Sequence, residues 1–250
     1  MSKYADFAAL HTPGDPLILF NVWDAGSAKV AAEAGAKAIA TGSHSVAEAF
    51  GFADGEAMPL DLALANAARI VAAVDLPVTV DFEGGYANHP DGVGQNVARL
   101  VQTGAIGCNF EDQIVGGSGL HPIAYQADRI RAVREAAGPD FFINARADIF
   151  LKKMGEPHDE AMVDAAIDRA AAYFAAGASG FFVPGMADIT QIRRVCAEVA
   201  LPVNFMAYPG APDAKALAGA GVARISHGPF PHRIAMKAFA EAAKAALSGG

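Results

Sequence analysis

Two cysteines in 250 residues, Cys108 and Cys196, are too few and too far apart for a disulfide framework, and neither sits in a Cys-x-x-Cys or Cys/His cluster that would hold zinc. Positive charge is scarce as well. Nineteen Lys and Arg stand against 27 Asp and Glu, a formal charge of −8, so no basic field exists to attract a phosphate backbone or an anionic lipid surface. Nucleic acid and membranes are therefore not expected partners. A long unbroken apolar run is also missing: the longest uncharged stretch, Ala170 to Ala187, is interrupted by Gly177, Gly180, Pro184 and Gly185 and reads as a helix end, a turn and a strand. The opening MSKYADFAALHTPGDP carries Asp6, His11 and Asp15 where a secretory signal would need an apolar core, which together with the cysteine usage points to a reducing cytoplasm. No linker rich in Ser, Gly or Pro divides the chain. What is abundant is apolar residue, 53% against 18% charged, the composition of a compact globular protein.

Eight short apolar stretches rich in branched residues, 17–22, 37–42, 77–82, 106–111, 140–145, 179–184, 202–207 and 222–227, alternate with Ala-rich helical patterns over 25–34, 60–74, 92–103, 124–137, 159–176, 189–199, 214–220 and 233–247. Where a helix must stop before a strand, AGAKAIA, TGAIGCNF, AGASGFF and AGVARIS each place a glycine, which takes the left-handed conformation after a helix without a Cβ penalty. Such alternation over a chain of about 250 residues predicts an α/β protein, a (β/α)₈ TIM barrel, with residues 1–250 as a single domain. A doubly wound open sheet, the alternative, would need fewer strands and a GxGxxG or GxxxxGK loop after the first, and neither loop is present.

Barrel active sites form at the carboxyl ends of the strands. There, TVDFEGGY, NFEDQ and NARAD bring Asp81, Glu83, Glu111, Asp112, Arg146 and Asp148 to one rim. Asp81 and Glu83, two apart, are expected to point to the same face of their strand, into the barrel. Carboxylates converging at low dielectric repel one another, and a hard divalent cation with oxygen ligands, Mg²⁺ or Mn²⁺, relieves that repulsion. Asp81, Glu83 and Glu111 are the candidate metal residues; the alternative is a salt-bridge network with Arg146. Trp23, beside Asn21 and Asp24 at the end of the first strand, packs either over a ligand or under the first helix. Tyr208 and His227 end the seventh and eighth strands and either give a proton or hydrogen bond to a substrate or shape its pocket. His121, in GGSGLHP, is either an acid–base group on a mobile gate or an exposed loop residue. Cys108 is expected to be a buried small hydrophobe, His89, His158 and His232 to be surface residues, and the amphipathic RIAMKAFAEAAKAAL at the end to pack on the core or on another subunit.

Taken in order, NVWDAGSA, GFADGE, TVDFEGGY, NFEDQ, NARAD, FVPG and GVARISHGP resemble the isocitrate lyase and phosphoenolpyruvate mutase superfamily over nearly the whole chain. The resemblance implies a (β/α)₈ barrel, often with its last helix exchanged between neighbours in a homodimer or homotetramer. It also implies Mg²⁺-dependent making or breaking of a bond next to a 2-oxo acid through an enolate-like intermediate. By position it implies that Asp81 and Glu83 hold the magnesium directly or through water, joined by Glu111 from the next strand, and that Asp54 touches water on the metal or the substrate. Arg146 then grips a substrate carboxylate, and Gly42, Ser43 and His44 receive the carboxylate or oxo group.

The chain also departs from the superfamily. After Glu111 it reads DQIVGGSGLHPIAY, without the Lys, Cys, Gly and His lid motif of the isocitrate and methylisocitrate lyases. The lid Lys and Asn of phosphoenolpyruvate mutase and phosphonopyruvate hydrolase are missing too, and Ala40 stands where the mutases place a tryptophan. What remains resembles the short-lid members, among which oxaloacetate decarboxylases occur. The resulting expectation is a Mg²⁺-dependent lyase or decarboxylase for a small 2-oxo or 2-hydroxy diacid, oxaloacetate-like. The alternatives are an enzyme of C–P bonds acting on phosphonopyruvate or phosphoenolpyruvate, a ketopantoate-type hydroxymethyltransferase, and a non-catalytic 2-oxo acid binding protein.

Overall fold

The computed structural model describes residues 2–248. Eight parallel strands, β1 (Leu17–Leu19), β2 (Ile39–Ala40), β3 (Val78–Asp81), β4 (Gly107–Glu111), β5 (Phe142–Arg146), β6 (Gly180–Phe182), β7 (Val203–Met206) and β8 (Arg224–Ser226), pair in the order β1-β8-β7-β6-β5-β4-β3-β2. A parallel bridge between Val22 and Thr41 closes the ring, so the fold is a (β/α)₈ barrel. Around it run α1 (Lys3–Ala9), α2 (Ala25–Glu33), α3 (Ser43–Ala49), α4 (Leu60–Ala73), α5 (Pro90–Gln102), α6 (Ile123–Ala137), α7 (Glu160–Ala175), α8 (Ile189–Glu198), α9 (Ala214–Gly219) and α10 (Phe230–Ser248). The four junction glycines, Gly35, Gly104, Gly177 and Gly221, all adopt positive φ, from 87° to 99°.

Two helices of seven residues lie outside the helical patterns expected from the sequence. The first, α1, is capped by the Ser2 hydroxyl and plugs the floor of the barrel: Phe7 meets Phe142 edge-on at 5.1 Å, and His11 stacks on Phe142 at 4.3 Å. Phe142 has room there only because β4 begins with Gly107, where a Cβ would come within 2.5 Å of the Phe142 carbonyl oxygen. The second, α3, opens at Gly42 and fills part of the loop after β2.

The apolar core lies between the outer faces of the strands and the helices, with Cys108, Phe110, Ile143, Phe181, Phe205 and Ile225 among its members. Strand alternation sends the intervening residues into the barrel. That interior has an apolar floor, where Leu17, Leu19, Ala38, Ala40 and Phe142 cluster with Phe7, and a polar layer above it. Asn144 Nδ2 donates to Asn109 Oδ1 (2.8 Å) and to Asn204 Oδ1 (3.0 Å), and Arg224 Nη2 donates to Asn109 Oδ1 (3.1 Å). Among the described residues, Arg224 Nε and Nη1 have no partner.

The last helix departs from the barrel. It starts three residues before the expected 233, and of its residues only Pro231 and His232 are buried, while Ile234, Met236, Phe239 and Leu247 are exposed. On β1, Ile18 is exposed, as is Phe20 just beyond it. His232 is therefore not the surface residue expected: it lies edge-on to Trp23 at 4.9 Å, with Nδ1 3.2 Å from Glu48 Oε2. Among the described residues no helix is long and apolar enough to cross a membrane.

Candidate active site

At the rim, Gly42, Ser43, His44, Asp54, Asp81 and Arg146 line one cavity of about 220 Å³. Leu151, Met154, Phe182, Met206, Phe230 and Arg233 complete much of its wall. Asp81, the last residue of β3, is held by Ser43, whose N–H (3.0 Å) and hydroxyl (2.9 Å) both donate to Asp81 Oδ2. Below it Asn109 Nδ2 lies 3.4 Å from Asp81 Oδ1.

Glu83 reaches the mouth by a different route from the one its spacing suggests. The ladder ends at Asp81 and Glu83 turns into the left-handed region, φ 50°, so its direction is set by a loop rather than by strand alternation. Glu56 (φ 59°) and Tyr86 (φ 55°) are the other non-glycine residues with positive φ among the described residues, and the three interlock. The Glu56 N–H donates to Glu83 Oε2 (2.7 Å), the Tyr86 N–H to Glu56 Oε1 (2.7 Å), and the Tyr86 hydroxyl to Glu83 Oε1 (3.5 Å). Strained backbone concentrated in one knot is a mark of a functional site rather than of a core. Buried Arg129 braces this loop from beneath, donating to the carbonyls of Gly84 and Ala87 and to Gln126 Oε1.

The acids divide into two groups. Burial pushes Glu83 up to about 8, and the charges of Asp81 and Asp54 add to the rise. Glu56 is likewise raised, chiefly by burial. On the neighbouring strand Glu111 pairs with Arg146 Nη1 at 2.8 Å, and Asp148 takes Arg146 Nε (2.6 Å) and Nη2 (2.9 Å). Burial pulls the Arg146 guanidinium down, but Asp148 and Glu111 more than reverse this and hold it above an ordinary arginine. Burial raises Glu111, and Arg146 pulls it the other way. Asp112 is a brace: its carboxylate accepts from the Asp148 N–H, Arg169 and the Tyr173 hydroxyl, tying the loops after β4 and β5 to α7.

Asp81, Glu83 and Glu111 thus do not converge as one ligand set, because Arg146 claims Glu111. Among the described residues no group of three or more His, Cys, Asp or Glu side chains could hold a metal by itself. Fewer direct protein ligands still suit magnesium, which dehydrates reluctantly and is commonly held by one or two carboxylates, water and substrate oxygens. The charges of Asp81 and Asp54 add to the rise of Glu83, a repulsion that a hard cation would relieve.

Six expected site residues are not among those lining this cavity: Glu83 and Glu111, which lie beside it, and four more. Trp23 packs against His232 at the root of α10. Tyr208 lines a neighbouring groove, its hydroxyl 3.4 Å from the Met186 carbonyl oxygen. The His227 ring turns away to the Leu19 carbonyl (3.0 Å) and Phe20. His121 is buried rather than an exposed loop residue, and burial together with Arg129 and Arg169 lowers its pKa to about 4. The glycine-rich segment before it forms a small hairpin, bridged between Gln113 and Leu120. Among the wall residues not anticipated from sequence are Asn109, Phe182, Met206 and Arg233; strand alternation, which places Asn109, Phe182 and Met206 facing inward, is the signal that could have found the first three.

Comparison with known proteins accords with this architecture. The chain belongs to the phosphoenolpyruvate phosphomutase family, whose model matches residues 7–247. A candidate phosphonomutase from Burkholderia cenocepacia J2315 is 51% identical, with a TM-score of 0.94 over 97% of this chain and 99% of that one. An oxaloacetate decarboxylase from Chromohalobacter salexigens is 28% identical over 93% of this chain and 81% of its own length. The crystal structure of a phosphonopyruvate hydrolase in complex with oxalate and Mg²⁺ shares the fold, with a TM-score of 0.87 at 22% identity, over all of this chain and 89% of that one.

Proposed function

We propose that the protein is a cytoplasmic, Mg²⁺-dependent carbon–carbon lyase for a small 2-oxo or 2-hydroxy dicarboxylic acid, with decarboxylation of an oxaloacetate-like substrate favoured. The observation that carries this reading is the meeting, around one small cavity, of two acids, Asp54 and Asp81, with the donors of Ser43 and Arg146. The oxaloacetate decarboxylase relative and the oxalate and Mg²⁺ bound to the phosphonopyruvate hydrolase support it. Asp81 would hold the metal, with Asp54, Glu83 and Glu111 reached through water. When bound, Mg²⁺ supplies Lewis-acid charge to the 2-oxo oxygen and to the enolate that forms as the C–C bond breaks.

The chain's own groups do the rest. The Ser43 N–H and hydroxyl, now on a carboxylate oxygen of Asp81, are the donors that would receive a substrate carboxylate beside it. Arg146, oriented by Asp148 and Glu111, keeps one N–H on each of Nη1 and Nη2 for a second oxygen. As the bond to the departing CO₂ breaks, its electron pair passes to C3 and the 2-oxo oxygen, and C3 then takes a proton from water, since neither Tyr208 nor His121 lines the cavity. The short loop after β4 offers no cysteine to protonate a released succinate and no lysine or asparagine for a transferring phosphorus. The exposed apolar faces of α10 and β1 support a homodimer or homotetramer that exchanges α10.

Pyruvate release from oxaloacetate, measured with Mg²⁺ against the free-metal background, tests the reading. EDTA and Asp81→Ala are each expected to abolish turnover with the fold intact, and isocitrate and phosphonopyruvate are expected to react little. Full activity after either treatment would remove the metal assignment; robust phosphonopyruvate cleavage would replace the reaction class, and robust isocitrate cleavage would replace decarboxylation.

A further inference from the structure

We propose that Asn109 is a positioning residue for Asp81, and that a buried ladder of amides beneath the mouth keeps its side chain turned that way; this rests on the reading of Asp81 as the acid that holds the metal. Asp81 and Asn109 are register partners on β3 and β4, and both line the cavity. Asp81 Oδ2 is taken by the two Ser43 donors, which the proposed reaction hands to a substrate carboxylate. Asn109 Nδ2, 3.4 Å from Asp81 Oδ1, is then the side-chain donor left to that carboxylate among the described residues.

An asparagine can present either its NH₂ or its oxygen, and here the choice is made from below. Asn204 Nδ2 donates to the carbonyls of Phe205 (2.8 Å) and Arg224 (3.3 Å) and to Ser226 Oγ (3.2 Å), which leaves Asn204 Oδ1 as an acceptor. Asn144 Nδ2 donates to that oxygen (3.0 Å) and to Asn109 Oδ1 (2.8 Å), where Arg224 Nη2 donates as well (3.1 Å). With two donors on its oxygen, Asn109 has to turn its NH₂ toward Asp81; the reverse would set oxygen against carboxylate and NH₂ against both donors. Backbone carbonyls on β7 and β8 thus decide, across the barrel, which atom faces the acid on β3. Asn109, Asn144, Asn204 and Arg224 are all buried. Space for the ladder is kept by Gly180 on β6, where a Cβ would come within 2.9 Å of Asn144 Oδ1. A donor that fixes a metal-binding carboxylate from outside the coordination shell commonly accounts for about 10- to 100-fold in metal affinity.

Calorimetry with Mn²⁺ as the probe tests this on wild type, Asn109→Leu, Asn144→Leu and Arg224→Met, with urea unfolding of each alongside. Asn109→Leu is expected to weaken Mn²⁺ about 10- to 100-fold. Asn109→Ser, whose hydroxyl is one bond shorter than the amide nitrogen, is expected to lose affinity in the same way should the leucine not be accommodated. Asn144→Leu and Arg224→Met disturb the same layer, yet each leaves Asn109 Oδ1 one donor, so both are expected to bind Mn²⁺ within about threefold of wild type. A merely structural role would lower urea stability in all of them and move Mn²⁺ affinity in none. Unchanged Mn²⁺ affinity in the Asn109 variants, or an equal loss in Asn144→Leu or Arg224→Met, would overturn the proposal and leave the metal reading standing. A wild type that binds no Mn²⁺ would overturn both.

Discussion

Arg146, at the rim of the barrel, and Arg224, deep inside it, handle a buried cation in opposite ways. The first is gripped by two carboxylates on three of its nitrogen-to-oxygen contacts, all within 2.9 Å. The second is fully buried with no carboxylate on it, donates to one amide oxygen, and leaves two nitrogens without a partner among the described residues. Their pKa values move apart accordingly: Arg146 is held above an ordinary arginine, while burial pulls Arg224 down to about 9 against the charge of Asp81. The rim charges are therefore mutually dependent, whereas inside the barrel Asn109 Oδ1 keeps a donor, Asn144, when Arg224 is replaced.

The largest effect is expected from Arg146→Ala, which leaves Glu111 and Asp148 buried and unpaired at a cost of about 3–5 kcal/mol in urea unfolding. Adding Glu111→Gln to that variant should recover part of the loss, and a single-variant cost below about 1 kcal/mol would contradict the ion-pair account.

An intermediate effect concerns His11 at the barrel floor, whose pKa burial and the nearby Arg224 charge lower to about 3. Between pH 6.5 and 3 the unfolded chain binds a proton there that the folded chain refuses, so this contribution to stability falls with acidity. Relative to His11→Phe, the wild type should lose about 2 kcal/mol between pH 7 and pH 5. Parallel pH profiles of the two proteins would show that His11 is not held neutral.

Arg224→Met should cost the least, about 1 kcal/mol, because Asn109 Oδ1 keeps its bond from Asn144 and no carboxylate loses its partner. It should also shrink the His11 pH effect. Equal unfolding costs for Arg146→Ala and Arg224→Met would erase the contrast.

Much of this was legible in the sequence where a residue's role follows from strand ends and turn chemistry. Each of the eight apolar stretches coincides with a strand, β5 running one residue past its stretch, the four junction glycines are left-handed, and Gly42, Ser43, His44, Asp54, Asp81 and Arg146 share one cavity. The rest depended on tertiary partners. Spacing leaves open whether Glu111 faces a metal or Arg146, which the 2.8 Å contact to Arg146 shows, and Glu83 obeys a loop conformation that spacing does not reveal. Arg233 was missed because it belongs to a helix whose pattern speaks only of an apolar face, while its place at the mouth depends on how the first turn of α10 is pinned. Buried His121 and His232 look like any loop or helix histidine, since nothing local announces what covers them.

The interlocked left-handed trio of Glu56, Glu83 and Tyr86 sets two selective pressures against each other. Each such backbone costs on the order of 1–2 kcal/mol that glycine would not incur. Selection for folding alone pulls these positions toward glycine or asparagine, while selection for a carboxylate-lined mouth pulls them back. A laboratory lineage evolved only for heat resistance should therefore drift first at these loops, gaining melting temperature as it surrenders the acids beside Asp81.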